Sequence, residues 1–233
     1  MATHAASRID HPPRALEPPL GVLGAVAAAL FVAGLVISTV RAGGSPFPSP
    51  FSDPADALAY FREHSGAVRT GAVLQFASAI PLAIYVATMA ARLRALTRAP
   101  GAALALVGGA LAATFLICSG LVSWVLTVQE VTEDPALVRA LHTLAFLFGG
   151  PGNVVSTGLL IAGIAITALR ARLFTGWLVW AGVVIAALGL MSALSLTFTA
   201  AAFLLPIARF SGMAWLIAVG FLLPPTPQFV SGN

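Results

Sequence analysis

The apolar positions of this chain fall in long unbroken blocks, not in alternation. Six blocks stand out, at residues 20–40, 68–91, 102–128, 137–169, 176–196 and 208–223. With a helical rise of about 1.5 Å per residue, about twenty apolar residues cross the hydrocarbon of a bilayer. Continuous blocks lack the period-two pattern of a membrane barrel strand. The pattern therefore predicts an all-α, polytopic membrane bundle of six transmembrane helices. Residues 1–19 read as a cytoplasmic polar tail, 20–223 as the transmembrane domain and 224–233 as a short cytoplasmic tail. The first block follows a polar stretch and is a full span long, so it reads as a retained helix and not as a cleaved signal. The sixth block is short, and 200–205 reads as an interfacial turn leading into it.

The residues between blocks agree. Gly43, Gly44 and Pro46, followed by Pro48 and Pro50, end the first span. Pro100 and Gly101 open the third, and Pro224, Pro225 and Pro227 end the sixth. Asp134 before Pro135 supplies an N-cap and a first-turn proline for the fourth. Asp53 before Pro54 reads as the N-cap of a short helix running to about His64, with Tyr60 and Phe61 anchoring it at the interface.

The fourth block is anomalous. As one straight helix its length would be about 50 Å, more than the whole bilayer. Its middle reads "FLFGGPGNVV" (146–155). Pro151 removes an amide and clashes with the Leu147 carbonyl, and the glycines permit the distortion. The helix is expected to be kinked, tilted or divided at 149–153. Freed backbone groups at this depth cannot face lipid, so the break is expected to point into the bundle. Asn153 would cap the second half or bond across to another span. The plainer account is a packing face in which Gly152, Ser156, Gly158 and Gly163 let helices approach closely.

Composition sharpens the class. Of the 233 residues, 59% are hydrophobic and 9% charged, against about 25% charged in soluble domains. Mean hydropathy is +0.96. The net charge of +4 comes from twelve arginines, with no lysine, scattered at the ends of blocks. A nucleic-acid surface would gather them on one face, so no nucleic-acid partner is expected. Arginine richness without lysine, with abundant Ala, Gly and Pro, suggests a GC-rich bacterial genome.

The arginines also vote on orientation. Arg8, Arg14, Arg92, Arg94, Arg98, Arg170 and Arg172 fall on one side, and Arg41, Arg62, Arg69, Arg139 and Arg209 on the other. The richer side is taken as cytoplasmic, which places both termini inside and the loops at 41–67, 129–136 and 197–207 outside a plasma membrane. Membrane lipids are then the expected partners, with an apolar small molecule as a further candidate.

Chemical signatures are sparse. His4 and His11 lie in the tail, and His64 and His142 lack a second histidine at ligand spacing. There is no phosphate loop, G-x-G-x-x-G or G-x-S-x-G. Cys118 sits in an apolar block and reads as a core residue. No metal, cofactor or catalytic residue is expected. A polar constellation does gather toward the outward ends of the spans. Its members are Arg69, Gln75, Glu130, Arg139, His142 and Arg209, with Asn153 of the break as floor. They would form one ligand-binding pocket. Expected ion pairs are Arg139 with Glu130 or Glu133, and Arg69 or Arg209 with Asp53, Asp56 or Glu63. Against this, arginines at helix ends commonly snorkel to headgroups.

Four stretches carry a resemblance: "SDPADALAYFREH" (52–64), "VRTGAVLQFASAIPLAIYVATMAARLR" (68–94), "ALHTLAFLFGGPGNVVSTGLLIAGIA" (140–165) and "LLPIARFSGMAWLIAVGFLLP" (204–224). Over residues 20–224 the chain resembles uncharacterised six-helix bacterial integral membrane proteins, known as hypothetical proteins or domains of unknown function. The resemblance implies the topology and carries no activity, cofactor or site residue. Three functional classes follow. The leading one is a small binding, sensory or accessory membrane protein with an outward-facing polar pocket. The alternative is a small transporter using a discontinuous fourth helix, although no acid lies within a span to couple proton or sodium. An intramembrane enzyme comes last.

Overall fold

The computed structural model describes residues 19–51, 53–97 and 100–223. Residues 1–18 of the expected 1–19 tail and all of the expected 224–233 tail, with His4, His11, Arg8, Arg14 and the terminal prolines, lie outside these residues, as does Arg98.

All regular structure among the described residues is helical. Six segments are long and apolar enough to span a membrane: Leu20–Arg41, Ser65–Leu96, Gly101–Val125, Pro135–Ala171, Gly176–Leu196 and Thr199–Leu222. The architecture is that of a multi-pass helical membrane protein. The elements are α1 (Leu20–Arg41), α2 (Pro54–Glu63), α3 (Ser65–Leu96), α4 (Gly101–Val125), α5 (Gln129–Thr132), α6 (Pro135–Leu147), α7 (Asn153–Ala171), α8 (Gly176–Met191) and α9 (Leu204–Leu222). A π-helical turn, Phe148–Gly152, joins α6 to α7, and 3₁₀ turns Ser192–Leu196 and Thr199–Phe203 join α8 to α9.

Local chemistry sets the ends. The Asp53 carboxylate accepts from the Ala55 amide at 2.8 Å, with Pro54 in the first turn, so α2 starts where the sequence signals it. Asp134 accepts from Ala136 and Leu137 in the same way and starts α6. α4 stops at Val125, short of its apolar block. Thr127 Oγ1 donates to the Trp124 carbonyl at 2.7 Å, offering the backbone an alternative to the next helical bond. The sixth span corrects the sequence reading. It is not short: 200–205, expected as an interfacial turn, is the 3₁₀ turn and the opening of α9. Pro206 is compatible because it sits in the first turn, where its missing amide has no intrahelical acceptor.

The spans form a ring in chain order: α1 against α3, α3 against α4, α4 along α6 and α7, α7 against α8, and α8 against α9. α9 closes the ring on α1. The closure is tight at the end where the described chain starts and stops. There a side chain begun on Gly220 would lie 2.9 Å from the Gly21 backbone nitrogen. α4 and α7 meet as closely, since a side chain on Gly163 would overlap the backbone of Gly101 and Ala105. The opposite end carries α2 and is called the α2 end below. There Gly43 and Gly44 take positive φ (66° and 92°) to turn the chain out of α1.

The bundle interior is apolar, built around Tyr85, Met89, Leu93, Leu160, Ile164 and Val219. The outside is apolar too: Val36, Val73, Val107, Leu121, Val184 and Phe221 are all exposed. Such a surface suits hydrocarbon as its solvent. Trp177 and Trp180 project from the first turns of α8, opposite the α2 end, as interfacial anchors do.

Candidate functional site

The break in the fourth span is resolved as a π turn within a continuous helical path. In a regular α-helix the Asn153 amide would bond the Gly149 carbonyl. Here it reaches the Phe148 and Gly150 carbonyls instead. Pro151 has no amide to give, and Gly152 tolerates the Leu147 carbonyl 3.0 Å from its side-chain position. The turn thus presents the Gly149 carbonyl to whatever can donate from outside the helix.

Two polar side chains bond the backbone at or beside the turn, and a third ties its end to α4. Arg209 of α9 donates through a guanidinium nitrogen to the Gly149 carbonyl, and its guanidinium lies over the Phe31 ring, 5.0 Å from the centroid. Ser119 of α4 donates to the Ala145 carbonyl at 2.9 Å. Asn153 bonds across to α4, its Nδ2 donating to the Ala112 carbonyl at 2.8 Å. Of the two roles open to Asn153, the structure takes the interhelical one. Gly149, Gly150 and Pro151 are all buried, so the irregular turn is shielded by protein.

A cavity of about 320 Å³ lies beside this turn, toward the α2 end. Its wall comes from α1 (Phe31, Leu35), the loop after it (Phe47, Pro48), α3 (Ala72, Gln75), α4 (Ser119, Ser123), α6 (His142, Phe146) and α9 (Leu205, Arg209, Phe210). It therefore fills the wedge that opens between α1 and α9 beyond their contact at Gly21 and Gly220. Leu35 and Phe210 line it and are exposed, 43% and 45%, so its rim lies on the lateral apolar surface. A smaller cavity of about 50 Å³ lies deeper, among Ala27, Leu82, Leu116, Asn153 and Met213. Phe31 and Arg209 line both cavities, so their pair stands at the junction.

The loop over the wedge cavity is fastened to α6. His142 Nε2 donates to the Pro48 carbonyl at 3.1 Å, and its ring meets Phe47 and Phe61 edge-on, at 5.6 and 5.1 Å. His142 itself is buried. Beneath it Phe61, Tyr60, Val68, Leu126 and Val138 form a separate apolar cluster that seats α2 on the bundle. The Tyr60 hydroxyl is buried there without a hydrogen-bond partner, and burial raises its pKa above the ordinary phenol value.

The structure divides the constellation expected from sequence. Gln75, His142 and Arg209 line the wedge cavity, and Asn153 lines only the deeper, smaller one. Arg139 lines a separate hollow of about 430 Å³ beside Ser49 and Thr199, which His142 also borders. Arg69 donates to Thr127 Oγ1 at 3.3 Å and lies 5.3 Å from the Trp124 ring centroid, away from the cavity. Glu130 is exposed on α5. None of the expected ion pairs forms. Arg209 has turned inward to Gly149, and the acids serve elsewhere: Asp53 and Asp134 cap helices, and Glu133 accepts from Gln129 at 3.4 Å. Exposed pairs gain too little in water to enforce contact. Sequence reasoning missed Ser119, Ser123, Phe31 and the Gly149 carbonyl. Small hydroxyls and aromatics in apolar helices carry no pattern that separates wall from packing. Among the described residues no three His, Cys, Asp or Glu side chains are grouped to hold a metal ion.

Comparison with known proteins finds no matching family model, curated protein or solved structure. The functional reading therefore rests on the geometry.

Proposed function

We propose that this chain is a binding protein of the plasma membrane, a sensory or accessory component that takes an amphiphile from the lipid into the wedge between α1 and α9. The observation that carries this reading is the cavity itself: about 320 Å³, walled mainly by apolar side chains, with a cation at its base and a rim of lipid-facing residues. Ligand sites are typically apolar concavities of at least about 300 Å³ with a few placed polar groups. The test is native mass spectrometry of the full chain released from neutral detergent. A bound amphiphile is expected in the wild type and not in Leu35→Trp, which fills the rim. Identical, ligand-free spectra for both would remove the reading.

The orientation proposed with it has both termini in the cytoplasm and the α2 end outside. Seven arginines against five support it, as do the three arginines at 92–98 in a stretch without acids. Cys118 is the only cysteine. In a Cys118→Ala background, cysteine at Ser45 should react in intact cells with a membrane-impermeant maleimide, and cysteine at Thr97 should not. The reverse labelling would invert the topology.

A transporter remains the second reading, favoured by the helix irregularity at Gly149. The continuity of the backbone through the π turn and the tight closure at Gly21 and Gly220 speak for a pocket over a passage.

A further inference from the structure

Resting on that pocket reading, we infer that the occupant is a single-chain amphiphile with an anionic head, carboxylate or phosphate, and that the head pairs with Arg209. Arg209 lies five residues into α9, about 7–8 Å along the helix from Leu204. A cation at such a position in a span ordinarily pairs with an acid. Among the described residues none is paired with it. Its partners are one backbone carbonyl and the face of Phe31. A guanidinium carries five N–H donors in a fork that fits two oxygens of a carboxylate or phosphate. Most of that capacity is unused, and it sits at the junction of two cavities.

The neighbours suit a head and a chain. Among the described residues Gln75 has no hydrogen-bond partner for its carboxamide, whose nitrogen lies 3.5 Å from where a Gly149 side chain would begin. Ser123 lines the same wall, its hydroxyl likewise without a partner among the described residues. Both are neutral groups that can bond head oxygens without competing for the charge. Beyond them the wall is Phe31, Leu35, Ala72, Phe146, Leu205 and Phe210, which matches an alkyl chain running to the lateral rim. The volume is at the low end for ligand pockets, which favours one chain over two. The Gly149 carbonyl then has a defined part. Exposed by the π turn, it holds the guanidinium in the wedge and supplies a neutral acceptor while the anion is absent.

The experiment uses the full chain in neutral detergent with dansyl undecanoic acid as fluorescent probe. Competitors are dodecanoate, dodecyl phosphate, dodecanol, dodecyltrimethylammonium and inorganic phosphate. Dodecanoate and dodecyl phosphate should displace the probe. Dodecanol should be roughly ten- to hundredfold weaker, the worth of a charged hydrogen bond. The cationic amphiphile and inorganic phosphate should leave the probe bound. Arg209→Gln should erase the gap between dodecanoate and dodecanol, and Arg209→Lys should keep part of it. If Arg209→Gln does not fold, the competitor series on the wild type and Arg209→Lys decides. Equal displacement by dodecanol and dodecanoate overturns the anionic head and leaves the pocket standing. Displacement by inorganic phosphate alone, or equally well by a diacyl phospholipid, overturns the single-chain amphiphile. No saturable probe binding, with Leu35→Trp indistinguishable from the wild type, overturns the pocket reading itself.

Discussion

Asn153 and Arg209 each donate to the backbone of another span, one to the Ala112 carbonyl and the other to the Gly149 carbonyl. Each is an interhelical tie of the kind that contributes about 1 kcal/mol in a membrane bundle. Asn153→Ala should lower the midpoint of detergent-induced unfolding by a loss of that size, followed by circular dichroism. Tyr60 is the opposite case. Its hydroxyl is buried without a partner, so Tyr60→Phe removes a desolvation cost and should leave stability unchanged or raise it in the same assay. The sequence drew attention to Asn153, because a carboxamide in an apolar run must find a partner. It could not name Ala112, forty-one residues away on another helix. Tyr60 passed as an interface anchor, since nothing in its neighbours along the chain announces a hydroxyl sealed under a loop.

At the scale of elements, glycine does two separable jobs. Gly163 brings α7 onto α4, and any side chain there meets backbone that cannot yield. Gly163→Leu should cost about 1–3 kcal/mol or prevent accumulation of the folded chain, read by monodispersity in size exclusion. Gly176 opens α8 with nothing within 4 Å of its side-chain position, so Gly176→Ala should elute as the wild type does. Both glycines look alike in the sequence, which shows that a small residue is present and not what approaches it. An irregularity near 149–153 was legible because Pro151 removes an amide among three glycines that tolerate distortion. Its form as a π turn was not, because neighbouring helices decide which carbonyl is left open. α9 shows the converse. Hydropathy alone missed its first turn, where Pro206 interrupts an apolar run that packing nonetheless completes.

For the molecule as a whole, the ring of spans in chain order leaves one joint, α1 against α9, that does not join consecutive elements. That joint is tight at Gly21 and Gly220 and opens into the cavity at the α2 end. The loop after α1 covers it, held by the bond from His142 to Pro48. His142→Leu keeps an apolar group against Phe47 and Phe61 and removes the tie. It should speed amide hydrogen exchange at residues 45–51 while the six spans stay protected, measured by mass spectrometry.

The sequence by itself determined the solvent, the number of spans, their order and the place of the irregular turn. All four depend on transfer of side chains and backbone from water to hydrocarbon, and that free energy accumulates along the chain. Only the tertiary structure decided which polar residues meet. It drew Gln75, His142 and Arg209 to one cavity and left Arg69, Arg139 and Glu130 outside it. The physical reason is that a helix end gives an arginine several acceptable partners of similar energy, and the choice among them is made by rotation and packing of helices that no local pattern encodes.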